Sequence, residues 1–467
     1  MLHKATIIKS LALFGLSLLI SLGCYWLGLT PHQALIVFIF SLSILGSLFF
    51  WEVKLSFAFL GSGLFLIIRA VTLEEFIKFA SLDVIIFLIA MMIIVGMMKE
   101  AGFFAWLITV LLRVKNLDGK KLFIIIMILS AVFSALMGEV ASIIVMATTL
   151  LEICYLLEIS PIPLIISSVF ATNIGSASTV LGNPVGVLIA ARSGLSFEDF
   201  IWHALPISLL VLLITVIFLF KWYSRYIQEI SEKLKIYEED KWFLKLISLP
   251  PDLRTKVSIA IFVGTIILIS LHHRVELLLG LEANTMLMMF PVISAGLVML
   301  YRHDKARIYV EHEVEWNSLL FFLFLFAQAG VIQATGVGTF FAEKIVGVVG
   351  RHPTLLSGAV LMTSGFFSSL LDNVVAVASY VPIIRSIEIL HYDINALWWA
   401  LLFGACFGGN ITMIGSTANI VALGILEKKA DIKITFQEWF KKGFIVGVLG
   451  MVLAFLMVVI TSLLNGT

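Results

Sequence analysis

Residues 134–140 read Ser134-Ala-Leu-Met-Gly138-Glu139-Val140, and residues 368–374 read Ser368-Ser-Leu-Leu-Asp372-Asn373-Val374. Each interrupts an apolar stretch of some 36 residues, 122–157 in the first case and 354–390 in the second. The two segments are related by a shift of 234 positions, which also sets Asp83 on Asn317 and Gly102 on Gly336. A shift of 233 sets Thr179-Val-Leu-Gly182-Asn183 on Thr412-Met-Ile-Gly415-Ser416. One of 239 sets Ser196-Phe197-Glu198-Asp199-Phe200 on Thr435-Phe436-Gln437-Glu438-Trp439. The order is preserved throughout, so the chain is a repeat.

Composition states where such a chain lives. Of its 467 residues, 61% are hydrophobic and 13% charged, against roughly 45–50% and 25% in soluble domains. Mean hydropathy is +1.09. Apolar segments reach helix-spanning length, about 20 residues, without alternating, which points to an all-α polytopic membrane protein and not a barrel. The net charge of +1 suggests no nucleic-acid partner. Cys24, Cys154 and Cys406 make neither a metal spacing nor a disulfide framework. Lys4, Lys9 and Ser21-Leu-Gly-Cys24 imitate a signal peptide, but the many spans that follow make residues 1–24 an uncleaved first helix.

Apolar runs place spans near 11–29, 33–50, 55–71 and 83–98, a short segment at 103–112, then 122–157, 162–191 and 204–222. The second half continues with 257–271, 285–301, 317–333, 337–349, 354–390, 395–426 and 443–463. This divides the chain into N-terminal helices (1–54), a first repeat (55–222), a charged connector (223–256) and a second repeat (257–467). With the N-terminus inside, 24 of the 31 Lys and Arg fall on the cytoplasmic side, as lysine and arginine retention requires. The C-terminus is then outside. The first long stretch leaves from the cytoplasm and its counterpart from outside, so the repeats are inverted, a layout of secondary transporters with a midplane site at the repeat interface.

Each repeat carries a second polar interruption. One is Asn173-Ile-Gly175-Ser-Ala-Ser-Thr179-Val-Leu-Gly182-Asn183-Pro184; the other is Gly408-Gly409-Asn410-Ile-Thr412-Met-Ile-Gly415-Ser416-Thr-Ala-Asn419. Gly and Pro there would unwind a helix in mid-membrane, which lipid forbids unless the freed carbonyls line a cavity or bind an ion. The stretches 122–157 and 354–390 fit either two full spans or a re-entrant hairpin, since both return the chain to its starting side. Together with Phe367-Ser-Ser-Leu-Leu-Asp372-Asn373-Val374, these segments resemble the signatures of the ArsB/NhaD group of the ion transporter superfamily. That group holds arsenite efflux permeases, NhaD-type sodium–proton antiporters and the melanosomal P protein; divalent anion–sodium symporters are more distantly similar. The resemblance spans roughly residues 30 to 460. It implies re-entrant hairpins at 122–157 and 354–390, broken helices at 162–191 and 395–426, scaffold helices that dimerise, and a transport subdomain that moves. One departure stands out: the group commonly shows Asp-Asn at both tips, where this chain has Gly138-Glu139 in the first.

A carboxylate at the bilayer centre costs about 2.5–3.5 kcal/mol and usually marks an ion or proton pathway. Glu139 and Asp372 are therefore read as a pair of anionic ligands. Asn173, Thr179, Asn183, Asn373, Asn410, Thr412, Ser416 and Asn419 would supply neighbouring oxygens, and such hard ligands suit a small cation such as sodium. Half-helix N-termini aimed at the same point would instead favour an anion or a neutral oxyacid. Desolvation favours a neutral carboxyl, so one acid could alternately carry a proton and an ion. The reading is a secondary transporter, not an enzyme, in the inner membrane of a bacterium or archaeon. It exchanges sodium, arsenite or antimonite for protons; a sodium-coupled citrate, dicarboxylate or other anion symporter is the alternative. No cofactor beyond the coupling ion, H+ or Na+, is implied, and a soluble ATPase partner stays open. His312-Glu313-Val-Glu315-Trp316 begins like a zinc motif but lacks its second His, and no Walker A pattern occurs. Cys406 reads as packing, His272-His273 as a solvated turn, and Trp398-Trp399 as an interfacial anchor.

Overall fold

The computed structural model describes residues 2–103, 106, 110, 117–238, 252–350 and 352–464. Among these every regular element is helical, and ten helices are long and apolar enough to cross a membrane. Leu2–Trp26 packs on Pro31–Phe49, which in turn packs on Lys54–Ile67. The expected segment 103–112 lies largely outside the described residues, as does 239–251 of the connector. The rest of the connector forms Ser224–Glu238, an amphipathic helix that buries Ile227 and Ile230. It lies against the base of the helix Gly119–Met137, where the Gly119 amide donates to Ser231 Oγ at 2.9 Å.

Both long apolar stretches are helical hairpins, and their turns differ. Gly119–Met137 and Glu139–Leu157 are joined by Gly138 alone, at φ +91° and ψ 152°. That backbone region is open to glycine and little else, at a cost of about 1–3 kcal/mol for other residues. Pro353–Leu370 and Asn373–Ile389 are joined through Leu371 and Asp372, both at ordinary negative φ. An aspartate therefore fits the second tip and is strained at the first, which gives the Gly138-Glu139 departure a physical reason.

The other two interruptions are broken helices. Ile162–Ser176 gives way to a 3-10 turn, Val180–Gly182, before Pro184–Ser193 resumes with Asn183 as its cap. Asn395–Gly408 unwinds and resumes as Thr417–Ala430, capped by Ser416. The first half of each broken helix lies along the first arm of its own hairpin. A Cβ on Gly175 would stand 2.2 Å from the Ala131 carbonyl oxygen, and one on Gly408 2.4 Å from that of Gly365. These two glycines, expected to unwind the chain, instead end regular helices and let backbones touch. Gly182, Gly409 and Gly415 do lie in or beside the breaks. There a Cβ on Gly182 would meet the Ser176 oxygen at 2.1 Å, and one on Gly415 the Gly409 oxygen at 2.6 Å.

Two surface expectations are corrected. His272 is buried, with Nδ1 2.8 Å from the Ile269 carbonyl oxygen, while its neighbour His273 is exposed. Trp398 and Trp399 are also buried, Trp399 against Phe200 and stacked on His203. Residue polarity alone does not distinguish a turn folded back under neighbouring helices from one facing water.

The glycine contacts make a direct test. Gly175→Ala and Gly408→Ala should each cost about 1–3 kcal/mol or more through overpacking, read as a lower melting temperature in detergent. Gly424→Ala is the control, since nothing lies within 4 Å of its Cβ position. Equal melting temperatures for all three would contradict the close packing.

Candidate functional site

The tips of the two hairpins meet. Asn373 Nδ2 donates to both carboxylate oxygens of Glu139 at 3.2 Å. These residues are equivalent under the shift of 234, so the contact joins corresponding positions of the two repeats. Hairpins crossing a whole bilayer from opposite sides would carry their tips about 30 Å apart. Tips in hydrogen-bond contact do not have that arrangement.

Both acids are buried, Glu139 at 1% and Asp372 at 3% exposure. Asp372 caps Asn373–Ile389: Oδ1 accepts from the Val374 amide at 3.0 Å, while Oδ2 accepts from Thr417 Oγ1. Glu139 opens its own helix, so each carboxylate sits at a helix N-terminus, where partial positive charge supports an anion. Asp372 is the charged group that bears most on Glu139, ahead of Glu315.

The breaks are stitched to the hairpins just short of those tips. Thr179 Oγ1 donates to the Ala135 carbonyl and Thr412 Oγ1 to the Ser369 carbonyl. The two breaks also bind each other. Asn173 Nδ2 donates to Asn410 Oδ1 and to Asn419 Oδ1, both at 2.8 Å. Ser416 Oγ donates to Asn173 Oδ1 at 3.0 Å, and Asn183 Nδ2 reaches Cys406 Sγ at 3.1 Å. Under the shift of 233, Ser416 corresponds to Asn183 and Cys406 to Asn173. The two contacts are therefore one contact made twice, the mark of a twofold relation. Asn419 Nδ2 satisfies the freed carbonyls of Gly409 and Thr412, both at 2.8 Å.

All ten expected ligand residues thus gather in one buried region, though several hold the fold rather than an open coordination place. Thr179 and Thr412 clamp carbonyls, and Asn183 Oδ1 caps its helix through the Gly186 amide at 2.7 Å. Asn373 Oδ1 and Asn410 Nδ2 are buried with no hydrogen-bond partner among the described residues. The sequence reading misses Thr417, Glu315 and Lys54. Thr417 aligns with Pro184 and so carries no polar signal from the repeat, Glu315 enters only through the failed zinc motif, and Lys54 counts as a loop charge.

Two cavities flank the tips. One of about 110 Å³ is lined by Glu139, Asn183, Thr417 and Glu315, and reaches the Lys99–Glu313 ion pair (2.9 Å). It has room for a small ion and several waters, each water needing at least roughly 10–15 Å³. The other, about 230 Å³, is lined by Asp372 together with Trp51 and Phe321. A roomier cavity of about 600 Å³ lies between Pro31–Phe49 and the second hairpin, but its walls are almost wholly apolar, as Val37, Phe40, Ile44 and Phe341 illustrate. Its few polar groups, Lys344 and the hydroxyls of Ser41, Thr363, Ser379 and Tyr380, include no carboxylate to hold a cation.

Comparison with known proteins places the chain among membrane transporters. The pattern of the CitMHS family, described as citrate transporter, matches residues 47–404 and 340–466. The 46 kDa membrane protein of Mycobacterium leprae is 30% identical over 385 residues, covering 80% of this chain and 84% of that protein. An uncharacterized transporter of Mycobacterium tuberculosis is 29% identical over 379 residues, with the same coverage. The P protein of Homo sapiens is 26% identical over 446 residues; the match covers 80% of this chain and 52% of that longer protein. The YdaH transporter of Alcanivorax borkumensis shares the fold, with a TM-score of 0.56 at 14% identity over 84% of this chain and 87% of that one. The superfamily resemblance drawn from the motifs is borne out: the chain belongs to the CitMHS citrate transporter family of the ion transporter superfamily and is a membrane transporter.

Proposed function

We propose that this chain is a secondary active transporter that exchanges a small cation, sodium foremost, for protons by alternating access. The observation that carries the reading is the burial of Glu139 and Asp372 at two touching hairpin tips. Two acids among amide, hydroxyl and carbonyl oxygens favour a hard cation and repel a polyanion. A proton and a metal cation compete for the same carboxylates, and that competition is the physical basis of exchange. Inverted repeats, an N-terminus in the cytoplasm and a C-terminus outside follow from the charge count. A homodimer in the lipid bilayer of a bacterial or archaeal inner membrane completes the reading. Exchange driven by ion gradients needs no ATPase partner.

Citrate symport is the second reading. The family's description favours it, as does one buried ammonium, Lys54, near Asp372.

Solid-supported-membrane currents and internal pH in proteoliposomes separate these readings, with sodium, lithium, arsenite, succinate and citrate presented in turn. A sodium- or lithium-driven pH change is expected, absent from Asp372→Asn and Glu139→Gln although both variants still melt cooperatively. A proton-coupled arsenite flux would keep the exchange mechanism and change its cargo. A citrate or succinate current without any cation-driven pH change would replace the proposal with symport. Competition also sets the sign of the pH dependence. Apparent KM for sodium should fall as pH rises, by up to about tenfold per unit for each exchanged proton. A KM that ignores pH would contradict a shared carboxylate.

A further inference from the structure

Trp51 and Phe321, which line one cavity together with Asp372, also hold an ammonium group. Lys54 Nζ lies 4.1 Å from the Trp51 ring centroid, 4.9 Å from that of Phe321 and 6.0 Å from that of Phe322. The residue is only 5% exposed. It is also the first residue of the helix Lys54–Ile67, where the helix dipole disfavours positive charge. No carboxylate among the described residues lies within ion-pair distance of it. A buried cation without a direct partner is costly. Cation–π contact with three rings offsets part of that cost. The rest falls to acids acting through space, and those that bear on Lys54 are Asp372 and Glu315. Glu315 immediately precedes Trp316–Ala334, and Asp372 caps the second hairpin arm. On its own side the neighbouring acid is Glu52, which is exposed to the surroundings.

This is an odd place for a structural lysine and a useful one for an exchanger. When a cation leaves the tips, two buried carboxylates lose their balancing charge. The flexible four-carbon stem of lysine lets its point charge move while its backbone stays in place. We propose that Lys54 is a tethered counter-ion, a built-in cation that balances Asp372 when cargo has left and withdraws to its aromatic box when cargo arrives. The inference rests on the cation-exchange reading above and adds an internal competitor to it. Cargo and ammonium then oppose each other at one carboxylate, so removing either strengthens the hold of the other. The rings set the balance: a weaker box pushes the ammonium towards Asp372.

The test uses two variants with opposite expected signs, in the full-length purified protein. Sodium binding is titrated calorimetrically in detergent, and sodium-driven proton flux is followed in proteoliposomes. In Lys54→Ala, apparent Kd and KM for sodium should fall by about fivefold or more, the scale of a typical coupling between two ligands. Lys54→Arg, which keeps the charge, should move them back towards the wild-type values. In Trp51→Leu both constants should rise. A role confined to packing would lower the melting temperature of Lys54→Ala and Trp51→Leu and leave the sodium constants unmoved or moved the same way, which overturns the inference. Loss of citrate binding in Lys54→Ala with sodium affinity unchanged would also overturn it, making Lys54 an anchor for an anionic substrate. Wild-type protein that neither binds nor exchanges sodium or lithium sinks the cation-exchange reading itself, and this inference with it. Exchange intact in wild type with unchanged constants in both variants sinks the inference alone.

Discussion

The constraint behind the whole architecture is that a helix broken inside an apolar fold must satisfy its own backbone. Water is not there to do it, and each unpaired group costs several kcal/mol in hydrocarbon, on the order of the full desolvation penalty. In this chain the solution is a knot of amides. Asn173 binds Asn410 and Asn419 together, and Asn419 covers the carbonyls of Gly409 and Thr412. Among the described residues Asn410 Nδ2 alone of these amide nitrogens is left without a partner. The network ties the two breaks to each other, and Thr179 and Thr412 tie the breaks to the hairpins. The meeting of Asn373 with Glu139 is a consequence of it.

Repetition makes the site nearly symmetric, and the tips break the symmetry in a chemically meaningful way. Gly138 occupies a backbone region that aspartate avoids, so the first repeat carries its acid one residue later. Asp372 is gripped by an amide and by Thr417, whereas Glu139 is gripped by the side-chain amide of its own counterpart. The two carboxylates thus stand in unlike hydrogen-bonding surroundings although the repeat makes their positions nearly equivalent.

Outside the tips, several charged residues join segments on the side that the charge count assigns to the cytoplasm. Arg302 bridges Glu100 at 2.7 Å and Asp304 at 3.1 Å, with the Tyr309 hydroxyl donating to Glu100 at 3.1 Å. Lys99 pairs with Glu313 at the mouth of the smaller cavity. Exposed pairs such as Lys99–Glu313 stabilise little by themselves. Their position matters more, because they tie the segment between Thr285–Tyr301 and Trp316–Ala334 to Lys99 and Glu100, and Lys99 and Glu313 line the same cavity as Glu139.

What the sequence by itself determined is the pattern repeated along it: the helical membrane class, two repeats, four interruptions, and the acids and amides within them. Those are local or periodic features, and a shift of 233 or 234 residues exposes them without coordinates. The choice between two full spans and touching tips lay beyond it, because apolar length is the same in both. So did the role of Gly175 and Gly408, since a glycine that unwinds a helix and one that lets two helices touch look alike in one dimension. Thr417, Glu315 and Lys54 lay beyond it as well. Thr417 bonds Asp372, Glu315 lines the cavity that holds Glu139, and Lys54 sits among rings that line the Asp372 cavity; no polar repeat pattern points to any of them. Only the tertiary structure brings Lys54 to the rings that share a cavity with Asp372, because burial and through-space charge depend on which helices pack together.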